Sequence, residues 1–513
     1  MTIVGGALRT AALVSLAAGW ASAQTAPAPA TTSEPEGWRK YVTPILSDRV
    51  RVEFVDWFGP SRSAAREGAE QYAFFANQLR AGFKVAIPHL TLLVEGQDVR
   101  LENLPNDASL AAPYGNLGPG ALYFANSHGL DEETSQGETF LRQGFVTLSD
   151  PPGVPGLALT GGRFEYSDGL ETVPQDPALA WLKRQRIAER LVGPFNYTHV
   201  GRSFDGVKLA YDRPELNLTA IAVRPTHGGF EVSAMREMGD VGLAGAAATL
   251  KGIPGLTKTA DLRLFYLAYE DDRFADEREE PERPVKVDNR PAAVRRADTK
   301  SLRIQTVGAH VAAVADAGPG RVDALAWGAG QGGDWGAQNH AAWAYAVEAG
   351  YQLPRCWAAP WLRIGVNQSS GDDDAADDRH ETFFQILPTA RIYAQFPFFN
   401  MMNSQDLFTQ LILKPHPKVT LRTDFHYVRL TEREDLWYAG GGATNDDVFG
   451  FSGIPANDHR ELAELVDLSI TVSILPQLTA YAYYGHAFGQ GVVRKTFDGS
   501  QADYGYVELT YKY

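Results

Sequence analysis

The side chains with chemistry to offer are basic and recur at alternate positions. Arg51, Arg80, Lys84, Lys208, Arg303, Arg363, Arg422 and Lys512 stand opposite apolar faces of short segments. Only Glu53, Asp424, Asp467 and Glu508 share those polar faces as acids, and His426 follows two residues after Asp424. Guanidinium and ammonium groups on a low-dielectric wall focus positive potential and favour anions. The bland alternative is that these charges pair with one another across strands. Catalytic signatures are missing: Gly201-Arg202-Ser203-Phe204-Asp205 lacks the second glycine of a nucleophile elbow, and His380-Glu381 has no second histidine four residues on. No phosphate-binding loop or dinucleotide fingerprint stands out, so neither an enzyme nor a cofactor is expected. A hydrolase assembled from distant strands is the alternative that local motifs do not address.

Side chains at every second position need strands to hold them. In residues 465–474, Val466, Leu468, Ile470, Val472 and Ile474 interleave with Asp467, Ser469, Thr471 and Ser473. Period two with one greasy face and one polar face marks a half-exposed strand. The same pattern runs through residues 418–428, where Val419, Leu421, Phe425 and Tyr427 oppose Arg422, Asp424 and His426. It recurs at Val50/Val52/Phe54, Leu79/Ala81/Phe83, Leu216/Leu218, Leu302/Ile304, Leu362/Ile364 and Val507/Leu509.

Proline turns near Pro88, Pro151–Pro155, Pro214, Pro254, Pro319, Pro354, Pro415–Pro417 and Pro476 alternate with long polar stretches. Short turns on one side and long loops on the other are the habit of an outer-membrane barrel. Eight turns and nine outer connections predict about 18 antiparallel strands with both barrel ends on the turn side. The fold class expected is therefore all-β, a transmembrane antiparallel β-barrel. Aromatic clusters at Trp57/Phe58, Tyr481/Tyr483/Tyr484, Tyr504/Tyr506 and Tyr511/Tyr513 would suit interfacial girdles.

Composition narrows the class. The chain has 513 residues, a formal charge of −15 and one cysteine, Cys356. That excludes a disulfide framework, and the acidic balance argues against a nucleic-acid binder. Residues 1–23 read as a signal peptide: Arg9, an apolar core at residues 11–19, then Ala21-Ser22-Ala23 as a cleavage site. Residues 24–47 form an Ala/Pro-rich linker and residues 48–513 a single barrel in the outer membrane, expected as a monomer in contact with lipid and lipopolysaccharide. Without Arg9 the charge becomes −16, and ten of those units fall in two stretches, residues 270–284 and 372–381. Both are expected in outer loops, where clustered carboxylates could hold a divalent cation loosely.

From Glu189 the chain reads ERLVGPFNYTHVGRSFDGVKLAYD, followed later by Asp424-Phe425-His426, Asp435-Leu436-Trp437-Tyr438 with Gly440–Gly442, and His459-Arg460-Glu461. Leu465-Val466-Asp467 and Gly485-His486-Ala487-Phe488 complete a pattern that resembles the alginate-export porin family. The resemblance implies an 18-stranded barrel whose arginine-lined lumen passes an anionic polysaccharide or smaller acidic sugars. It adds Arg163, Arg190 and Arg202 to the expected lining. Gly162-Arg163-Phe164-Glu165 departs from the family's Gly-Arg-Gln-Glu, and residues 171–187 form an insertion. That insertion, with Trp181 and Lys183-Arg184-Gln185-Arg186, is short enough for one amphipathic helix in a loop. The function expected is passive passage of anions; the alternative is a non-conducting binding barrel.

Overall fold

A computed structural model describes residues 37–126, 133–253, 257–275, 283–389 and 394–513. The expected signal peptide and most of the linker lie outside these residues. The described barrel, in the unit Tyr41–Tyr513, begins at Val42, so the last six residues of the expected linker already belong to its first strand.

Eighteen antiparallel strands close on themselves. They run Val42–Asp56, Gln71–Ile87, Leu90–Glu102, Gln136–Ser149, Leu157–Phe164, Phe204–Asp212, Leu216–Pro225, Val241–Ile253 and Thr257–Asp271. The second half comprises Leu302–Ala317, Gly320–Trp335, Gln338–Gln352, Trp361–Ser369, Ser404–His416, Val419–Leu430, Glu461–Leu475, Leu478–Gly489 and Gln501–Lys512. Each pairs with its sequence neighbours, and Val42–Asp56 also pairs with Gln501–Lys512 to seal the wall. The turns at one end fall where the prolines placed them, the one near Pro254 lying outside the described residues. At the other end the connections are long, with one exception. Gly336 and Ala337 alone join two strands there; Gly336 has φ +62, and a Cβ on it would meet Asp298 Oδ2 at 2.3 Å.

Pleating turns alternate residues outward. Phe54, Leu79, Leu209, Leu264, Ile364, Phe425, Leu468 and Leu509 stay exposed on the outer face although they are apolar. Such a band is stable only against lipid. Among the described residues no helix is long and apolar enough to cross a membrane.

The inward face is where the expectation of aromatic girdles needs correcting. Trp57, Phe58, Tyr483, Tyr504 and Tyr506 are buried, while Tyr484, Tyr511 and Tyr513 remain exposed. Trp57 and Phe58 pack on Phe396 and Phe398, and the Tyr504 hydroxyl donates to Glu53. The inner rings gain partners because loops fold into the barrel and fill it. The acidic stretch from residue 270 is likewise not all loop. Asp271 ends a strand and its buried carboxylate takes a bidentate contact from Arg273, while residues 276–282 lie outside the described set.

Candidate functional site

Residues 165–203 leave the loop end of the barrel, descend through its lumen and climb back. Their lowest point is set by Asp176, whose Oδ1 accepts from the Ala178 and Leu179 N–H groups at 3.0 Å each. An N-cap aspartate followed by proline at the first helical position starts the short helix Pro177–Leu182. Asp176 also pairs with Arg321, next to the 318–319 turn, which ties the helix to the turn end of the barrel. The wider turn Lys183–Ile187 then rotates successive basic side chains to different partners. Lys183 Nζ reaches Asp261 at 2.7 Å, and Arg186 turns to Glu348. The expected amphipathic helix is therefore short, and it is docked against the wall by salt bridges.

Glu348, on the wall strand Gln338–Gln352, is where the loop's arginines converge. Its carboxylate accepts from Arg186 Nε at 2.9 Å, Arg363 at 3.0 Å and Arg190 at 3.2 Å. Asp323 adds a second anion, 3.1 Å from Arg363 and 2.7 Å from the Trp361 indole N–H. The Arg363 guanidinium lies against the paired Trp181 and Trp361 rings, at 5.3 and 5.7 Å from their centroids. Among the described residues, three buried guanidiniums thus gather on Glu348 and Asp323, more basic than acidic charge inside a low-dielectric wall. Burial makes such a group strongly interacting and costly to disturb.

The same loop crosses to the opposite wall. Arg49 donates to the Asn196 carbonyl at 2.7 Å, and Gln78 and Gln97 donate to the His199 carbonyl. Arg80 donates to Gln97, Asn196 and Glu165, and Arg142 takes the same Glu165 oxygen at 2.7 Å. Arg51 is clamped by Glu508 at 2.7 Å and Glu53 at 3.1 Å, beneath the Tyr506 ring. Arg202 donates to the carbonyls of Ala443 and Gly441, and Lys208 lies over the Phe164 ring at 5.6 Å. Lys84 is exposed near the turn end. Among the described residues no carboxylate lies within ion-pair distance of Arg202, Lys208 or Lys84. On the next wall, Arg422 pairs with Asp424, and His426 Nδ1 faces Asp406 at 2.9 Å.

Two expected lining residues stand on the outer face instead. Arg163 pairs with Asp205 and donates to the Met235 carbonyl at 2.7 Å, on the same parity as exposed Leu159 and Val207. Gly162, at φ +122, shows how locally irregular that strand is. Arg303 is on the parity of exposed Val307, pairing with Asp272, whereas Leu302 and Ile304 are buried inward. The apolar pair points inward because the loop end is packed with side chains from the folded-in loops. Sequence reasoning also missed the acids that answer the arginines: Glu95, Asp323 and Glu348. Glu348 was findable, as the one charge in the alternating strand Gln338–Gln352.

At the turn end, a cavity of about 660 Å³ is lined by Glu171, Asp176, Asp212, Asp261 and Lys251 among others. At the loop end the outer connections knit over the lumen. Asp435 accepts from Thr382 Oγ1 at 2.6 Å, the Tyr438 hydroxyl at 2.7 Å, and the Leu436 and Asp372 N–H groups. Burial outweighs these donors and pushes its carboxyl up to about 7, and burial also lifts Asp372 to about 6. A raised carboxyl makes the folded loops hold more protons than the unfolded chain. Their packing is then firmest in acid and weakens as pH climbs from about 4 to about 7. Amide exchange at Asp372 and Leu436, corrected for intrinsic rates, should be faster at about pH 7.5 than at about pH 5.5, with Asp435→Asn removing most of the contrast. Slower exchange at the higher pH would contradict this.

Comparison with known proteins supplies the rest. A family model described as alginate export matches residues 62–506. No curated protein matches the sequence. Among solved structures, OccK9 (OpdG) of Pseudomonas aeruginosa is 11% identical with a TM-score of 0.56, covering 93% of this chain and 99% of its own. OccAB1 of Acinetobacter baumannii is 9% identical with a TM-score of 0.55, covering 94% and 99%. OccK2 (OpdF) of Pseudomonas aeruginosa, solved in complex with glucuronate, is 10% identical with a TM-score of 0.52, covering 93% and 99%. At such identities the likeness is one of fold.

Proposed function

The chain belongs to the alginate-export family of outer-membrane, porin-like channels, and from that premise we propose that it passes small anionic solutes, acidic sugars above all, down their gradient. The observation that carries this reading is the Arg186–Arg190–Arg363 cluster around one glutamate. A guanidinium is a permanent cation, and three of them gathered on one acid hold a positive potential over the lumen that draws anions. Several weak sites of this kind let a solute in without trapping it. Arg202 and Lys208, which no carboxylate neutralises among the described residues, extend the positive path. The family's description and the glucuronate held by one structural neighbour share one chemistry, a sugar ring bearing a carboxylate. The loop through the lumen narrows the way, which favours single acidic sugars over a polymer.

Reversal potentials in planar bilayers under a salt gradient test the proposal. Anion preference is expected, and Arg363→Ala should lower it severalfold, since Arg186 and Arg190 still neutralise Glu348 in that variant. Cation preference in the unmodified protein would sink the idea. The filled lumen supports one competing reading, a closed barrel that binds without conducting, and absence of single-channel steps would favour it.

A further inference from the structure

Away from Glu348, the strands Val419–Leu430 and Glu461–Leu475 bring three ligating side chains to one spot on the inner wall, with Ser404–His416 alongside. Asp424 and Asp467 are direct cross-strand partners, both turned inward and 2% and 1% exposed. Like charges directly opposite destabilise a sheet, and burial sharpens the cost. His426 lies on the same face two residues along, fully buried. One ligand atom from each of the three lies within 4.8 Å of the other two.

The hydrogen bonds show which atoms are spoken for. Asp424 Oδ2 takes Arg422, Asp467 Oδ2 takes the Tyr483 hydroxyl at 3.3 Å, and His426 Nδ1 faces Asp406 Oδ1 at 2.9 Å. Asp424 Oδ1, Asp467 Oδ1 and His426 Nε2 are buried and make no hydrogen bond. Asp406 accepts only a proton from the ring, so Nδ1 carries the hydrogen and the Nε2 lone pair is left for a ligand. A carboxylate orienting the far side of an imidazole is the usual outer partner of a metal-bound histidine. Asn367 in turn holds Asp406 Oδ2 at 3.2 Å. Gln410, cross-strand from Asp424, is buried with its amide oxygen unbonded. Among the described residues, Asp406, Asp424 and Asp467 face one guanidinium, Arg422, an excess of two negative charges that a divalent cation would cancel. A proton on His426 would supply one.

We propose that Asp424, His426 and Asp467 bind a divalent cation of the zinc class, with the Gln410 amide oxygen or solvent as fourth donor. One imidazole and two carboxylates suit zinc and its neighbours; calcium and magnesium take all-oxygen sets. The ion staples two adjacent strands at mid-wall, and Asp406 is a positioning residue.

The test is to refold the full chain in detergent with and without Zn²⁺ or Co²⁺, desalt, and measure bound metal and thermal unfolding. Wild type should retain about one equivalent and unfold at higher temperature with metal. Tetrahedral cobalt absorption should accompany it. Asp467→Asn removes a ligand and the like-charge conflict together, so it should fold without metal and lose that equivalent. Asp406→Asn should weaken affinity at least about tenfold while keeping the spectrum. Any loose binding at the two acidic stretches would be common to all variants and subtracts out. The proposal fails if wild type retains no more metal than Asp467→Asn, or if metal leaves its unfolding temperature unchanged.

Discussion

Glu348→Gln will destabilise the barrel by about 3–5 kcal/mol, the cost of leaving buried charges without their partner. In wild type one carboxylate answers Arg186, Arg190 and Arg363, all with side chains at most 1% exposed. Glutamine keeps the shape and two of the acceptor contacts but removes the charge that bridges all three guanidiniums. The denaturant midpoint of the refolded protein in detergent reads the loss. Two readouts separate this from a general packing defect. Anion preference should rise in Glu348→Gln, opposite in sign to Arg363→Ala. Adding Arg186→Ala to Glu348→Gln should restore part of the stability, because it removes one of the stranded charges. An unchanged midpoint would mean the cluster is hydrated and that its charges are screened.

Deleting residues 172–187 should raise single-channel conductance severalfold with the barrel intact. This segment carries the helix Pro177–Leu182 and the turn that delivers Arg186 to the wall. Its ends are already neighbours: the Glu189 N–H donates to the Asp168 carbonyl at 2.9 Å, and a Cβ on Gly169 would touch Ala188 at 3.4 Å. Joining residue 171 to residue 188 therefore closes a gap that the fold has nearly closed. Asp261 loses Lys183 but keeps His310 at 2.7 Å, and Glu348 keeps Arg190 and Arg363. Conductance should grow while anion preference falls, because Arg186 leaves with the segment and takes the cluster's excess charge with it. An unchanged conductance would place the permeation path elsewhere in the lumen.

The wall was legible in the sequence because lipid demands it. Val466, Leu468 and Ile470 must face hydrocarbon, and that fixes Asp467 and Ser469 as inward without any structure. The prolines marked the turn end for a related reason: strands that reverse within a few residues need turn chemistry, and prolines supply it. The reading failed where the outward face is not lipid. Near the loop end, Leu302 and Ile304 pack inward under folded loops, so greasiness no longer reports direction and Arg303 was assigned to the wrong side. Tyr504 and Tyr506 deceived in the same way. Asp323 was hidden by small neighbours, since alanine and glycine at alternate positions blur the period of two. The Asp424–His426–Asp467 group shows a different limit. Each was recognisably inward, but their meeting depends on the register between two strands separated by a long loop, which no local pattern states.

The seam between Val42–Asp56 and Gln501–Lys512 has a consequence for how the molecule comes to exist. Arg51 meets Glu508 across 457 residues of chain, so the first strand has only one neighbour until the last has been made. An unpaired strand edge recruits whatever strand is near, including that of another copy. Closure can therefore only follow synthesis, and contacts of such separation are slow to form. The export route must keep the polypeptide unfolded and apart from its siblings until the final hairpin arrives, and the rate of that single sealing event sets how quickly a working wall appears.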